Sequence, residues 1–537
     1  MEKVYGKIGG LKASHLKRLH NIYRRRISED EIVSREIARR LAEISSEIKR
    51  QVALLIGRRG DVEYVVVGND HSILIPDLAR FRSGVGRLKG LRCIHTHLHG
   101  EPLSQEDLMD LALLKLDLML CLNINNKGIP ADLYYAHILP RNNSGQPWII
   151  EHIPDIGRLD LNFSEFIRDL ETQLAKTGTS IGMEKKESAV LVSVNKASRW
   201  EAEESLEELK ELAITSNLLV VDSIIQRKTG PDSRFLLGKG KLSELVIRSL
   251  QAGANLLIFD GELTPAQVRV LTDYTEMKMI DRTQLILDIF ARRAITREGK
   301  IQVELAQLRY VLPRLITKNT AMSRLTGGIG GRGPGETKLE INRRRVRDRI
   351  TLLNKELIEI SQQRKERRKK RRNRGLPVIS IVGYTNAGKS TLLNTFTRSH
   401  VKVESRLFVT LDPTSRCLRL KEGEAIITDT VGFIRDLPED LLEAFAATLE
   451  ELHEADLLLH VADMSNSRLE DQIESVNKIL NSLDLAEIPT ILVLNKIDRL
   501  NKSQIDHFTK RLGGTPISAI NPSTLPKLRK AIEDIMF

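Results

Sequence analysis

Short apolar runs alternate with amphipathic stretches along most of this 537-residue chain. Before residue 180, strand-like runs lie among helical stretches, at 65–67, 93–95 and 118–122. After residue 190, further apolar runs alternate with stretches of helical period, and this β-α-β order predicts a small parallel sheet covered by helices. The segment 145–187 between these regions is polar and irregular, which predicts a linker.

The period of the apolar positions changes after residue 300. Two sets are spaced four and three residues apart, so each forms one stripe along a helix, at 301, 305, 308, 312 and 315 and at 346, 350, 353, 357 and 360. The glycine-rich segment 327–335 between them cannot continue either helix. We predict an antiparallel helical hairpin with a glycine-rich tip and a kink at Pro313; the alternative for the tip is a flexible loop without a partner.

From residue 376 onwards the alternation of buried strands and helices resumes. The strand candidates are the apolar runs at 378–382, 425–429, 457–462 and 490–495. This order predicts a doubly wound α/β domain, and its length of roughly 160 residues is common for one domain.

Charge is concentrated in one segment. The formal net charge is +12, and residues 341–374 hold 15 basic and four acidic side chains, a net charge of +11. Such a cluster favours docking to a polyanion, because neutralising phosphates releases condensed counterions. The alternative is a solvated helix face. Since the segment has no aromatic residue to anchor it at a membrane, RNA is the favoured partner.

Composition limits the classes of protein to which this chain can belong. A hydrophobic fraction of 41% and a charged fraction of 29% are typical of globular chains, and this length requires several domains. Cys93, Cys121 and Cys417 are far apart, which excludes a disulfide framework and a cysteine-only zinc site. No apolar run approaches the roughly 20 residues of a membrane span, and the N-terminus lacks a secretory signal. We therefore expect a cytoplasmic protein, and a monomer.

Residues 383–390 read Gly-Tyr-Thr-Asn-Ala-Gly-Lys-Ser, which fits the pattern GxxxxGK[ST] directly after a strand and before a helix. Glycines let such a loop bend so that backbone N–H groups encircle the β-phosphate at a helix N-terminus. Lys389 then reaches the β- and γ-phosphates, and Ser390 ligates Mg²⁺. The expected nucleotide contacts of this loop are Gly383, Tyr384, Thr385, Asn386, Ala387, Gly388, Lys389 and Ser390.

A second motif ends a strand 40 residues after Lys389. It consists of Asp429, Thr430, Val431 and Gly432. Asp429 is expected to hold Mg²⁺ through water, and the Gly432 N–H to meet the γ-phosphate. The next residue is Phe433, so the water-orienting glutamine of Ras-like enzymes is missing, and we expect slow hydrolysis by the isolated domain.

Two further motifs predict the base. The first is Asn495, Lys496, Ile497 and Asp498, at the carboxyl edge of a strand. A carboxylate only accepts hydrogen bonds, so Asp498 can take N1–H and N2–H of guanine, whereas adenine would offer it an acceptor. In the second motif, Ser518 and Ala519 can supply a backbone N–H to the guanine oxygen, and Ile520 is a further expected nucleotide contact. The four motifs together predict a Mg²⁺-dependent GTPase.

With these motifs the chain resembles the HflX family of ribosome-associated GTPases over about residues 190–520. The resemblance rests on the sequences at 237–242, 259–263, 281–290 and 330–336, and on the switch I-like segment 407–414. It implies nucleotide contacts by Phe408, Val409, Thr410, Leu411 and Asp412. It further implies that Thr410 ligates Mg²⁺ and that the protein binds the large (50S) ribosomal subunit and splits or rescues stalled ribosomes.

Residues with catalytic roles follow from motif and resemblance together: Lys389, Thr410, Gly432 and Asn386. Asn386 occupies the loop position at which potassium-activated GTPases hold a monovalent cation, and K⁺ there would neutralise charge as an arginine finger does. The alternative is that Asn386 only braces the loop.

Residues 94–107 resemble the HxH…SxxD signature of JAB/MPN-type zinc metallopeptidase domains. The resemblance implies that His95, His97 and Asp107 ligate Zn²⁺, that Ser104 assists, and that Glu47 is a candidate base. The chain departs from the family in having six residues between His97 and Ser104 instead of seven, and Leu98 instead of proline. The alternative is a capping box over 104–107 with structural histidines.

The predicted class is multidomain α/β, with four regions. They are a JAB/MPN-like α+β extension and linker at 1–180, a small HflX-type α/β domain at 188–300, the helical hairpin at 301–374 and a P-loop GTPase domain at 376–537. The leading function is a GTPase acting on the large ribosomal subunit. The alternatives are a GTPase factor in rRNA or tRNA maturation and a zinc peptidase regulated by a GTPase module.

Overall fold

The structure is a computed structural model of the chain. The residues that it describes are 3–76, 78, 81, 87–125, 127–140, 142, 146–179, 187–196, 198–227, 236–275, 277–315, 338–372, 376–397, 414–430, 432–434 and 452–537. They form two compact units: Met1–Leu206 with Leu218–Gly261 and Ala266–Ile280, and Glu207–Asn217 with Glu262–Pro265 and Asp281–Phe537. Among the described helices none combines the length and apolarity of a membrane span.

The first unit opens with a seven-stranded mixed sheet in the order β1-β3-β2-β4-β5-β6-β7. The central strands β4 and β5 are parallel, β2 is antiparallel to β4, and the residues of β4 and β5 are buried throughout. The strands are β1 (Val4–Gly6), β2 (Val52–Gly57), β3 (Val62–Val67), β4 (Leu91–His97), β5 (Leu118–Ile124), β6 (Pro130–Ile138) and β7 (Trp148–Ile153).

Four helices accompany this sheet: α1 (Ala13–His20), α2 (Arg35–Ile48), α3 (Gln105–Leu113) and α4 (Phe163–Thr179). Ser34 caps α2, which buries Ile37, Leu41 and Ile44 in the core. The predicted irregular linker at 145–187 is wrong over β7 and α4. The polar residues of this segment include those on the exposed face of the amphipathic helix α4. Its apolar residues Phe163, Ile167, Leu170 and Leu174 pack in the same core.

A second, four-stranded sheet has the order β11-β10-β8-β9. Strand β8 pairs in parallel with both β9 and β10, which confirms the parallel pairing that the β-α-β order predicted. The strands are β8 (Ser188–Asn195), β9 (Leu219–Arg227), β10 (Leu256–Phe259) and β11 (Lys278–Asp281). The helices of this region are α5 (Arg199–Thr215), α6 (Lys239–Gln251), α7 (Pro265–Tyr274) and α8 (Arg282–Arg293).

The two long helices of the second unit are α9 (Arg297–Arg314) and α10 (Lys338–Arg372). Their apolar stripes face each other, with Ile301, Leu305 and Leu353 at the centre of the contact. Ion pairs between Arg297 and Glu356 and between Glu304 and Arg349 show that the helices run in opposite directions. Helix α9 ends at Arg314, immediately after Pro313. The glycine-rich tip lies outside the described residues, so the complete hairpin stays a prediction.

The carboxyl-terminal part of this unit is a six-stranded sheet in the order β13-β14-β12-β15-β16-β17. All described pairings are parallel except β13 with β14. The strands are β12 (Val378–Gly383), β13 (Thr414–Arg419), β14 (Glu424–Asp429), β15 (Leu457–Asp463), β16 (Thr490–Asn495) and β17 (Thr515–Pro516). The described helices are α11 (Lys389–Thr397), α12 (Leu469–Ser482), α13 (Lys502–Leu512) and α14 (Pro526–Met536).

Candidate functional site

The loop between β12 and α11 has a backbone that only glycine tolerates at two positions. Gly383 has φ +148°, and a Cβ there would lie 2.2 Å from the carbonyl oxygen of Val461. Gly388 has φ +97°, and a Cβ would lie 2.3 Å from Nδ2 of Asn495. Backbone conformation and close approach therefore both require the glycines of the motif.

Lys389 begins α11, and its side chain is buried under the loop. Its Nζ donates to the carbonyl oxygens of Gly383 at 3.0 Å and Tyr384 at 2.8 Å. Burial lowers the pKa of Lys389 to about 8, against the opposing effect of Asp429. A polyphosphate bound at this nitrogen would raise that pKa again, since a nearby negative charge favours the ammonium form.

Oxygen ligands suited to Mg²⁺ meet beside Lys389. The hydroxyl of Ser390 donates to Oδ2 of Asp429 at 2.6 Å, so the two predicted metal contacts adjoin each other. Hydroxyl and carboxylate oxygens are the donors that Mg²⁺ prefers, and the residues present therefore fit this ion. GTPases generally use Mg²⁺, which neutralises phosphate charge when bound.

Gly432 lies against the nucleotide loop. A Cβ at this residue would be 2.8 Å from Cγ2 of Thr385 and 3.0 Å from Nζ of Lys389. Two backbone hydrogen bonds fix this segment, from Thr385 N to Phe433 O at 2.7 Å and from Phe433 N to Gly383 O at 3.1 Å. The Gly432 backbone is thus held beside Nζ of Lys389, and its contact with a γ-phosphate stays a prediction.

Asn495 connects the nucleotide loop to the last motif. Its Nδ2 donates to the Ala387 carbonyl at 2.7 Å, and its Oδ1 accepts from the Ala519 N–H at 2.8 Å. Lys496 bridges to the carbonyl oxygen of Asn386 at 2.8 Å and to Asp463 at 2.7 Å. The third and fourth motifs therefore meet the first one, at the carboxyl edge of the sheet.

Asp498 and Ser518, two of the residues predicted to contact the base, lie together, and their contacts with guanine stay predictions. The Ser518 hydroxyl donates to Oδ1 of Asp498, and the Ser518 N–H donates to Oγ1 of Thr524 at 3.0 Å. Ile520 is exposed beside them. Thr430 donates its hydroxyl to the Ile381 carbonyl at 2.6 Å, which ties the second motif to β12. Ile497 begins a short 3-10 helix, Ile497–Arg499, that carries Asp498.

Several predicted site residues lie outside the described residues. They are Val431 and the switch I-like contacts Phe408, Val409, Thr410, Leu411 and Asp412. Their roles at the nucleotide, including that of Thr410 at Mg²⁺, stay predictions.

Motif reasoning missed two neighbours of this site. His460 on β15 is buried, and burial together with the charge of Lys389 lowers its pKa to about 4, so it is neutral at physiological pH. Glu208 on α5 accepts a hydrogen bond from the Tyr384 hydroxyl at 2.7 Å. Neither residue belongs to a nucleotide motif, and only the fold brings them to the loop.

A separate cluster lies on the amino-terminal sheet, in the first unit. His95 and His97 project from the same face of β4, with their Nε2 atoms 2.9 Å apart. Asp107, in the first turn of α3, places its carboxylate oxygens 3.4 Å from His95 Nε2 and 3.6 Å from His97 Nε2. All three side chains are buried.

The chemistry of the cluster fits a zinc ion. Zinc–nitrogen and zinc–oxygen bonds of about 2.1 Å at tetrahedral angles separate ligand atoms by roughly 3.4 Å, which lies within the range of the observed distances. His97 hydrogen-bonds the Glu101 carbonyl through Nδ1 at 3.0 Å, which leaves Nε2 for a metal. His95 Nδ1 is buried without a partner among the described residues.

The electrostatics of the cluster concentrate negative charge on Asp107. Burial would raise its pKa, but His95, His97 and Ser104 hold the pKa well below the usual range. Burial lowers the pKa of His95. Hydrogen bonds to Asp107 and to the Cys121 thiol outweigh burial at His97 and raise its pKa to about 10.

Ser104 and Asp107 also form the capping box of the alternative interpretation. The Ser104 hydroxyl and N–H both reach Oδ2 of Asp107, at 2.7 and 2.8 Å, and the Asp107 N–H donates to the Ser104 hydroxyl at 3.2 Å. A cap and a metal ligand are therefore compatible, because the cap orients the carboxylate toward the histidines.

The structure does not bring Glu47, the candidate base, to this cluster. It is half exposed on α2 and pairs with Arg18 and His15. The strand register pairs Ala53 with His95, and Gln51 lies directly before β2, two residues from Ala53. Gln51 is 1% exposed, and its amide atoms have no partner among the described residues. The buried side chain at this end of β2 is thus an amide, which cannot accept a proton as a carboxylate does.

The sheet, the phosphate loop and the guanine-specific carboxylate define a P-loop GTPase. Comparison with known families agrees: residues 378–496 match the family described as "50S ribosome-binding GTPase". The preceding residues match "GTP-binding GTPase N-terminal" at 203–291 and "GTP-binding GTPase Middle Region" at 293–371.

Known relatives identify the family. The GTPase HflX of Caldanaerobacter subterraneus subsp. tengcongensis is 49% identical over 66% of this chain and 81% of its own length. The GTPase HflX of Escherichia coli is 46% identical over 58% of this chain and 74% of its own length. A solved GTP-binding protein of Sulfolobus solfataricus in complex with GDP is 26% identical, covering 65% of this chain and 98% of its own, with a TM-score of 0.35.

The chain belongs to the HflX family of GTPases, as the identity to the HflX relatives shows, which confirms the predicted family and activity. The JAB/MPN-like character of the extension stays a prediction.

Proposed function

We propose that this GTPase binds the large ribosomal subunit and uses GTP to split or rescue stalled ribosomes. The observation that carries the proposal is the basic helix α10. Its apolar stripe packs against α9, and this leaves a face with Arg345 and Arg347 exposed to solvent. An exposed row of guanidinium groups suits the phosphates of folded rRNA.

The family comparison supports the same partner. The matching model over 378–496 is described as that of a 50S ribosome-binding GTPase. A GTPase whose second motif continues with Phe433 in place of a water-orienting glutamine needs another group to complete hydrolysis. The large subunit is a candidate source of that group, so GTP hydrolysis and ribosome binding are expected to be coupled.

Sedimentation with purified 50S subunits tests this partner. We expect the full-length chain to sediment with the subunits in a non-hydrolysable GTP analogue, and more weakly in GDP. Charge reversal at Arg343, Arg344 and Arg345 should reduce co-sedimentation at least tenfold, because three phosphate contacts become repulsive. The matched control reverses Lys502, Lys510 and Lys527, three exposed lysines of the GTPase domain.

Three outcomes separate the leading function from its nearest alternative. Loss of binding in the α10 variant alone, with unchanged GTP affinity, supports the ribosomal role. Unchanged co-sedimentation of that variant contradicts the role of α10. Absence of any binding to 50S, with binding to free rRNA or tRNA retained, favours a factor in RNA maturation.

We also propose that Asn386 supports a K⁺ ion at the phosphates. It has φ +63° and an exposed side chain, while its carbonyl oxygen is held by Lys496. The loop backbone is therefore fixed independently of the Asn386 side chain, which is available to a cation. GTP hydrolysis should be faster in K⁺ than in Na⁺, and Asn386→Ala should abolish this difference; equal rates in both salts would contradict the proposal.

A second proposed function is zinc binding by the amino-terminal domain. The convergence of His95, His97 and Asp107 carries this proposal. Zinc held by these residues would act as a Lewis acid toward water or a carbonyl. Because the residue directly before β2 is Gln51, and Glu47 pairs with Arg18 and His15, neither position supplies a carboxylate base. We therefore propose metal binding without peptide hydrolysis, in preference to the regulated peptidase.

Elemental analysis of purified full-length protein tests the zinc site. We expect about one zinc per chain, lost in His95→Ala and retained in His507→Ala, an exposed histidine on α13. Zinc retained equally in both variants, or absent from the unmodified protein after incubation with zinc, contradicts the proposal. Cleavage of peptides by the zinc-loaded protein would contradict the assignment of a non-hydrolytic role.

A further inference from the structure

A carboxylate from outside the GTPase domain accepts a hydrogen bond from the nucleotide loop. Oε1 of Glu208, on α5, accepts the hydrogen bond from the Tyr384 hydroxyl at 2.7 Å. Oε2 of the same carboxylate lies 3.0 Å from Nη2 of Arg282, at the start of α8. The Arg282 side chain is 6% exposed and the Glu208 side chain 14%, so this pair is largely removed from water.

Tyr384 is placed to transmit this contact to the phosphate site. Its carbonyl oxygen accepts from Nζ of Lys389 at 2.8 Å. Its neighbours Gly383 and Thr385 pair with Phe433, in the segment that follows Gly432. The side chain of Tyr384 is thus tied to Glu208, while its backbone supports the lysine that reaches the phosphates.

The same face of α5 carries a second carboxylate toward the nucleotide site. Glu211 follows Glu208 by one helical turn and interacts with Lys496 of the base motif. Burial, and then the nearby Glu207 and Glu208, raise the pKa of Glu211. Helix α5 therefore contacts the nucleotide loop through Glu208, and Glu211 acts electrostatically on a lysine of the base motif.

Arg282, the partner of Glu208, adjoins a residue that contacts helix α9. Asp281, adjacent to Arg282, is buried, accepts from the Tyr310 hydroxyl of α9 and caps α8 through the Gln284 N–H at 2.9 Å. The guanidinium of Arg314 stacks on the Tyr310 ring at 3.5 Å from its centroid and pairs with Glu262 at 2.8 Å. Two sets of contacts, Tyr384–Glu208–Arg282 and Asp281–Tyr310–Arg314, are thus joined by the backbone between Asp281 and Arg282, and together they run from the nucleotide loop to the end of α9.

We propose that Glu208 is a positioning residue for GTP binding: held by Arg282, it fixes Tyr384 and with it the carbonyl oxygen that supports Lys389. The network through Asp281 and Tyr310 makes the nucleotide loop sensitive to the position of α9. By linkage, the nucleotide then influences α9 to the same extent in binding free energy. This inference rests on the nucleotide site and does not depend on the ribosomal role.

A double-mutant cycle on nucleotide release tests the contact. The measured quantity is the rate constant for release of N-methylanthraniloyl-GDP from the full-length chain, by stopped-flow fluorescence. Tyr384→Phe removes the hydrogen bond to Glu208, and Glu208→Gln weakens that bond together with the ion pair to Arg282, so each should accelerate release about three- to tenfold. The double variant should be no faster than the faster single variant, since both changes remove the same interaction.

Two further variants complete the design. Glu207→Gln is the matched control, the same substitution on the adjacent, 66% exposed side chain, and should leave release unchanged. Tyr310→Phe removes only the hydroxyl at Asp281 and should accelerate release about twofold if α9 is connected to the loop. Thermal midpoints within a degree or two of the unmodified protein separate positioning from unfolding.

The contradicting results are distinct. Additive effects of Tyr384→Phe and Glu208→Gln, or no effect of either, overturn the positioning role of Glu208. An effect of Glu207→Gln equal to that of Glu208→Gln reduces the result to a change of net charge on α5 and also overturns it. Unchanged release in Tyr310→Phe, with the cycle intact, overturns the extension to α9.

Discussion

The nucleotide site and the His95–His97–Asp107 cluster are both small sets of polar side chains at strand ends, but the fold builds them differently. In the nucleotide site, the loop backbone carries most of the geometry, and glycines at 383 and 388 occupy conformations and spaces closed to other residues. In the amino-terminal cluster, ordinary strand and helix geometry suffices. Two alternate residues of β4 and one capped residue of α3 bring three ligands together.

The difference teaches which substitutions each site tolerates. A site built from backbone fails when a Cβ is added, even far from any charge. A site built from side chains loses its bound ion when one of the side chains that hold the ion is removed. The predictions below exploit this difference, and the first of them uses the other site as the region that should not respond.

The largest effect is expected from Lys389→Ala. The side chain is buried and aligned by two carbonyl oxygens, so its loss removes the charge that faces the phosphates. We expect kcat/KM for GTP to fall roughly 100- to 1,000-fold, the range found when one preorganised electrostatic donor is removed. Steady-state phosphate release measures this, and His97→Ala, which alters only the other cluster, should retain the unmodified rate.

Asp498→Ala should abolish base selectivity. The carboxylate is positioned by the Ser518 hydroxyl, and its removal leaves guanine N1–H and N2–H without an acceptor. Affinity for GDP should fall roughly 100-fold, while the much weaker affinity for ADP should change less than threefold. Isothermal titration with both nucleotides measures the two values, and equal losses for GDP and ADP would refute the guanine role.

A matched pair of glycine substitutions tests the backbone character of the nucleotide site. Gly388→Ala places a Cβ against Asn495, whereas Gly513→Ala has φ +72° and no heavy atom within 4 Å. Both carry the left-handed strain of about 1–2 kcal/mol, but only Gly388→Ala adds the clash. Urea denaturation should show the larger loss of unfolding free energy for Gly388→Ala, with GDP affinity reduced only in that variant; equal behaviour would disprove the close-contact argument.

The smallest expected effect is a pH dependence of GDP binding. Burial lowers the pKa of free Lys389 to about 8, and phosphates raise it in the complex. The lysine must then take up a proton on binding above pH 8, so GDP affinity should fall about tenfold between pH 7 and pH 9. Titration calorimetry in two buffers of different ionisation enthalpy should reveal proton uptake at pH 8.5. A pH-independent affinity with no uptake would count against a depressed pKa.

The motifs allowed the GTPase part to be predicted in detail, because each motif is contiguous and carries its own strand–loop–helix context. The Asp429–Ser390 contact and the position of Gly432 beside Lys389 follow directly from that context. The contacts of Glu208 and His460 could not be predicted, because tertiary packing joins residues that are far apart in sequence. Glu208 and Tyr384 are 176 positions apart, and His460 and its strand partner Val382 are 78 positions apart. The β7–α4 region was mistaken for a linker because its polar residues lie on the exposed face of an amphipathic helix.

In the amino-terminal region, the alternation of His95 and His97 predicted that they share one face of a strand, and the capping box predicted the start of α3. Neither pattern reveals which residue on β2 lies beside them. That neighbour depends on strand register, which pairs Ala53 with His95 and leaves Gln51, not an acidic residue, directly before β2. The difference between metal binding and hydrolysis therefore rests on a pairing between distant segments of sequence.

Steady-state GTP hydrolysis in potassium buffer, with and without purified 50S subunits, tests the central claim most directly. With Phe433 in place of a water-orienting glutamine, we predict slow turnover by the protein alone and a stimulation of at least tenfold by the subunits. The stimulation should disappear when Arg343, Arg344 and Arg345 are reversed in charge. Normal GTP binding with no stimulation by 50S subunits would contradict the claim that the large subunit completes the GTPase site.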